Sequence, residues 1–91
     1  MSVQIRIPTQ LRALTGGESE VTMEGSTVGE ALKALDVAHP GFGERIFDEA
    51  GAVRRFVNVF ADDEDIRFLG GADTPLEGIK VLSIVPAVAG G

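Results

Sequence analysis

A chain of 91 residues, 44% of them hydrophobic and 24% charged, fits one small globular domain and excludes a multidomain enzyme. Eight Lys plus Arg against fourteen Asp plus Glu give a formal charge of −6, which repels a phosphate backbone and argues against nucleic acid as a partner. With no cysteine and one histidine, the chain offers no disulfide framework, thiolate metal site, iron–sulfur cluster or cysteine nucleophile.

Met1 to Pro8 lacks a basic segment followed by a continuous apolar run, and no window reaches the ~18 apolar residues that span a bilayer. The expected location is the cytoplasm, with no membrane partner. Val3 to Ile7 alternates, with Val3, Ile5 and Ile7 on one face and Gln4 and Arg6 on the other, which predicts a half-buried strand. A polar, glycine-containing stretch follows, ending at Gly16-Gly17. Glu20 to Met23 then alternates again, so the two runs predict a hairpin with a long loop. Thr27 and Glu30 have the spacing of a capping box, in which the hydroxyl accepts from a backbone N–H and the carboxylate reaches back. A helix is predicted from Val28: Val28, Ala31, Leu32 and Leu35 share one face, while Glu30, Lys33 and Asp36 face outward. His39-Pro40-Gly41 ends it, because proline disfavours helical geometry in the residue before it. A short helical turn is expected near Gly43 to Phe47.

Arg55 to Phe60 is the next strand region, with Val57 and Val59 on one face and Phe56, Asn58 and Phe60 on the other. The acidic run Asp62 to Asp65 is expected at a hairpin tip, leading into Ile66-Arg67-Phe68, which reads as a short strand before Gly70-Gly71. Lys80 to Val85 is strongly β-prone, with Leu82 and Ile84 on one face and Val81, Ser83 and Val85 on the other, and Pro86 stops it. The order of elements predicts an α+β roll, a mixed sheet covered by one main helix whose crossover brings a later strand parallel to the first. That topology is a β-grasp, or ubiquitin-like, fold. One domain covers residues 1–86, and residues 87–91 form a flexible C-terminal Gly-Gly tail.

The tail, Ala87-Val88-Ala89-Gly90-Gly91, has no charged or bulky side chain and extends about 17 Å at full stretch. Gly-Gly makes its tip thin enough to enter a narrow channel, since neither residue carries a Cβ. The α-carboxylate of Gly91 is the working group in this reading. It is inert until an enzyme activates it, for instance as an acyl-adenylate.

Five segments carry a resemblance to a family: Ile5-Arg6-Ile7-Pro8-Thr9 with Leu11-Arg12; Thr15-Gly16-Gly17; Arg55-Phe56-Val57-Asn58; Asp63-Glu64-Asp65-Ile66-Arg67-Phe68; and Val85-Pro86-Ala87-Val88-Ala89-Gly90-Gly91. Together they span nearly the whole chain. The sequence resembles the prokaryotic ubiquitin-like sulfur carriers of the ThiS and MoaD family, and looks most like its CysO branch. The resemblance implies a protein co-substrate rather than an enzyme. Gly91 would be adenylated by an E1-like enzyme using ATP, converted to a thiocarboxylate, and used as a sulfur donor in biosynthesis. It also implies partners: the E1-like enzyme, a sulfur-accepting enzyme such as a pyridoxal-phosphate-dependent cysteine synthase, and a metalloprotease. ATP and pyridoxal phosphate belong to those partners, no cofactor is expected on this chain, and a monomer is expected when it is free. Cysteine, thiamin and molybdopterin all remain open as products. So does a second use of the same adenylate, in which Gly91 is joined to lysines of other proteins and the chain is a ubiquitin-like modifier. A plain β-grasp binding module is a third reading.

Other features are bland by comparison. Asp62 to Asp65 lacks the alternating ligands, central glycine and distal glutamate of a calcium loop. His39 has no nucleophile nearby to serve, and Gly16-Gly17 and Gly70-Gly71 lack the lysine of a phosphate loop and read as turn glycines. Phe56, Phe60 and Val85 fall on the helix-free face if Val57 and Val59 pack under the helix. They then either form a partner-docking surface or are covered by loops or by Phe42 and Phe47.

Overall fold

In the first strand Val3 and Ile5 are buried while Ser2, Gln4 and Arg6 are exposed, and this alternation sets how the sheet is used. The computed structural model describes residues 1–86. Strand β1 (Ser2–Arg6) pairs antiparallel with β2 (Glu20–Glu24), placing Val3 opposite Met23 and Ile5 opposite Val21. Helix α1 (Val28–Ala38) and the short helix α2 (Phe42–Ile46) follow. Strands β3 (Val57–Ala61), β4 (Glu64–Asp65) and β5 (Val81–Pro86) complete a five-stranded sheet in the order β2-β1-β5-β3-β4. The last strand runs parallel to β1, with Ile5 opposite Leu82, and antiparallel to β3, with Val59 opposite Ile84. This is the mixed sheet and single crossover that the pattern predicts.

The core lies between α1 and one sheet face. Val28, Ala31, Leu32 and Leu35 are fully buried against inward residues that include Ile5, Val59 and Leu82. Complete burial of the Val, Leu and Ile side chains among them contributes roughly 1.5–3 kcal/mol each, so this face carries most of the driving force. Among the described residues, no helix is long and apolar enough to cross a membrane.

The Thr27 hydroxyl accepts from the Glu30 N–H at 3.2 Å, as the capping spacing predicts. The returning Glu30 carboxylate takes the Ser26 N–H at 2.8 Å, one residue earlier than a standard capping box. At the other end of α1, Asp36 does not simply face solvent. Its Oδ1 accepts from the backbone N–H groups of Gly41 and Gly43, at 3.2 and 2.8 Å, and so ties the start of α2 to α1.

Three local expectations are corrected. The stretch after β1 is not merely a polar loop: Thr9–Thr15 winds as a 3₁₀ segment that buries Leu11 in the core. Ile66–Phe68 is also a 3₁₀ turn rather than a strand, because Asp65 Oδ1 accepts from the Arg67 N–H at 2.8 Å and bends the chain directly after β4. Pro86 belongs to β5 instead of lying beyond it, paired with Val57. The Val57 N–H donates to Arg54 O and its carbonyl accepts from Arg67, so both polar groups are engaged away from β5. In such a non-hydrogen-bonded pair the missing proline N–H removes nothing from the ladder.

Candidate functional site

The helix-free side of the sheet is built by the positions that alternate with the core. Phe60 stands opposite Ser83, and Asn58 stands opposite Val85. Phe60 and Val85 are therefore diagonal neighbours on adjacent strands, close enough for an aromatic ring to reach across. Val85 is 44% exposed and Phe60 half-buried, whereas their strand neighbours Val59 and Ile84 are buried. Phe56, one residue before β3, is 70% exposed. Phe60 and Val85 thus lie on the face the alternation predicts, whereas Arg55 and Phe56, expected in the strand, form a turn ahead of β3 because the Val57 N–H donates back to Arg54 O. The competing arrangement, in which Phe42 and Phe47 cover these residues, does not occur: Phe42 is fully buried in the main core and Phe47 packs against that same core.

Towards β1 the same face becomes polar. Arg6 is opposite Ser83 on β5 and Glu20 on β2, and its Nε lies 3.4 Å from a Glu20 carboxylate oxygen. Both partners are largely exposed, so this pair adds little stability and chiefly borders the apolar patch.

At the other edge, Arg54–Val57 forms a turn. It is held from below by the Arg54 N–H donating to Ile46 O at 2.8 Å, by Arg54 Nε donating to Glu44 O at 3.0 Å, and by the bridge between Phe47 and Val53. From the side, the Arg67 guanidinium donates to the carbonyls of Arg54, Arg55 and Val57 and to Asn58 Oδ1. Two of the segments that carry the family resemblance, Arg55 to Asn58 and Asp63 to Phe68, are therefore one hydrogen-bonded unit. Sequence reasoning did not find the role of Arg67, because its partners lie 9 to 13 residues away and no local periodicity marks them.

The acidic run is likewise committed to structure. Asp62 adopts a positive φ of 56° in the two-residue turn between β3 and β4. Its Oδ1 accepts from the N–H groups of Lys80 and Val81, at 3.2 and 3.1 Å, fixing the start of β5. Asp65 caps the following 3₁₀ turn. Among the described residues, no group of three or more His, Asp or Glu side chains is placed to hold a metal ion. His39 caps the end of α1 through its backbone.

The expected attachment point Gly91 and the tail residues Ala87, Val88, Ala89 and Gly90 lie outside the described residues. What the structure does place is the root of that segment. Pro86 sits opposite Val57, beside the patch formed by Val85 and Phe60 and next to the turn that carries Phe56.

The mixed sheet, its single crossover helix and this bare outer face define a β-grasp protein of the ubiquitin-like kind. The ThiS family model matches residues 5–91, and the chain belongs to the ThiS family. It is 42% identical over 93 residues, covering 100% of both chains, to the sulfur carrier protein CysO of Mycobacterium tuberculosis. It is similar to a chain in the crystal structure of the Amycolatopsis orientalis BexX/CysO complex, with a TM-score of 0.90, 43% identity and coverage of 98% of this chain and 99% of that one. It is also 29% identical, over 100% of both chains, to small archaeal modifier protein 3 of Haloferax volcanii.

Proposed function

We propose that this protein is a sulfur carrier, a protein co-substrate rather than an enzyme, whose working atom is the Gly91 carboxylate. The observation that carries the reading is the full-length 42% identity to a sulfur carrier protein, within a family match that includes the Gly-Gly segment. In the proposed sequence a Gly91 carboxylate oxygen attacks the α-phosphate of ATP on an E1-like enzyme, releasing pyrophosphate and leaving an acyl-adenylate. A sulfur nucleophile then displaces AMP to give the thiocarboxylate. That sulfur passes to a biosynthetic enzyme, with a pyridoxal-phosphate-dependent cysteine synthase and a releasing metalloprotease as the expected partners. Phe56, Phe60 and Val85 supply the docking surface, and the supporting feature is their position beside the tail root.

The modifier reading is favoured by one specific observation, the similarity to a small archaeal modifier protein. Both readings begin with adenylation, so ATP–pyrophosphate exchange that depends on this chain and disappears on deletion of Gly91 tests the shared step. The two separate in cells carrying the protein tagged at Met1. A carrier appears mainly as the free species on denaturing gels, whereas a thiol-resistant ladder that is lost with Gly91 establishes the modifier.

A further inference from the structure

Arg55 and Phe56 are the central pair of a β-turn closed by the Val57 N–H, which donates to Arg54 O at 3.0 Å. The carbonyls of Arg54 and Arg55, and that of Val57 where β3 begins, all accept from one terminal nitrogen of Arg67, at 3.2, 2.9 and 2.9 Å. The other terminal nitrogen donates to Asn58 Oδ1 at 2.6 Å and lies 3.8 Å from Asp65 Oδ2. A terminal guanidinium nitrogen has only two hydrogens, so the three carbonyls share them. The arrangement behaves as a single clamp on the backbone rather than as independent bonds. Its base is fixed as well, since Asp65 Oδ1 accepts from the Arg67 main-chain N–H at 2.8 Å.

Of the four residues in the turn only Val57 joins the core, and Arg54, Arg55 and Phe56 are exposed. The tip of the turn is Phe56, 70% exposed and absent from the buried cluster. Ordering an exposed aromatic costs conformational entropy in the free protein, and that cost is recovered when a partner buries the ring. The same clamp holds Val57, which pairs with Pro86 at the root of the tail. One side chain therefore sets the spacing between an exposed aromatic and the point where the Gly-Gly segment departs.

We propose that Arg67 is a positioning residue that holds Phe56 at a fixed offset from the end of β5 for docking to the E1-like activating enzyme. This rests on the carrier reading, which supplies the partner. Arg67 touches no reacting atom and acts through the Arg54–Val57 turn. The planar fork is what matters: a lysine ammonium retains the charge but cannot match the divergent acceptors.

The test uses ATP–pyrophosphate exchange by the activating enzyme with the full chain as substrate, together with amide hydrogen exchange of the free proteins. Arg67→Lys should raise KM about tenfold, equivalent to about 1.4 kcal/mol, with kcat within roughly twofold of the unaltered chain. Arg67→Gln should behave the same way. In both variants the Val57 amide should exchange faster while those of β1 and α1 do not change. Phe56→Ala should raise KM by itself, and combining it with Arg67→Lys should add nothing, because both remove one presented ring. Asn58→Ala, which leaves the turn carbonyls clamped, should have a smaller effect than Arg67→Lys. An unaltered KM in Arg67→Lys, rescue by Lys where Gln fails, or additivity with Phe56→Ala would each overturn the assignment. If the unaltered chain supports no exchange with an enzyme shown to be active on another carrier, the carrier reading itself falls and takes the assignment with it.

Discussion

On the helix-covered face of the sheet, Ile5 is 0%, Val59 1% and Ile84 3% exposed, whereas one residue along the same strands Arg6 and Val85 meet solvent and Phe60 is half-buried. The backbone ladder is common to both faces, so the difference lies in what covers them. One face receives Val28, Ala31, Leu32 and Leu35 of α1, and among the described residues the other receives no helix. Stability is therefore concentrated on one side. Apolar residues on the other side should cost little to change in the free protein, and in the proposed docking role their energetic value is realised with a partner.

The largest effect expected from this contrast is on the covered face. Leu82→Ala removes a fully buried side chain between Ile5 and Ala61 in register, and should lower unfolding free energy by about 2–5 kcal/mol in urea titrations. On the bare face, Phe60→Ala should weaken binding to the activating enzyme by about 2 kcal/mol, measured by calorimetry, with circular dichroism showing the fold retained. Alanine is the suitable replacement because Asp65 lies directly opposite, where an introduced carboxylate would add repulsion unrelated to docking. A Phe60→Ala variant that unfolds would mean the two faces are less distinct than their burial indicates. A smaller effect should come from the turn that starts β5. Asp62→Ala abandons the two backbone N–H groups held by its carboxylate and places alanine at positive φ, costing about 1–2 kcal/mol, while Asp62→Asn should retain most of that stability.

What was legible in the sequence follows the same division. The alternation in Val3 to Ile7 and Lys80 to Val85, and the spacing of Val28, Ala31, Leu32 and Leu35, recorded which side of each element meets the core, and so revealed both faces. Leu11 was not legible because a 3₁₀ segment has neither the period of a strand nor that of an α-helix. Arg67, Asp36 and Asp62 were not legible because each acts on backbone groups that only the finished fold brings within reach. Asp62 and its partners, for example, are 18 and 19 residues apart. Ile66-Arg67-Phe68 has the composition of a strand, yet the cap from Asp65 turns it away from the sheet. The family was legible in the five segments that carry the resemblance, and the ThiS family match over residues 5–91 bears it out; the chemistry at Gly91 stands as what that resemblance implies.

The claim that the Gly91 carboxylate carries sulfur is tested most directly by the intact mass of the protein after incubation with ATP, the E1-like enzyme and a sulfur source. Exchange of one carboxylate oxygen for sulfur predicts a rise of about 16 Da, confined to the C-terminal peptide and abolished by removal of Gly91. An unchanged mass, with an enzyme that demonstrably thiocarboxylates another carrier under the same conditions, would contradict the account.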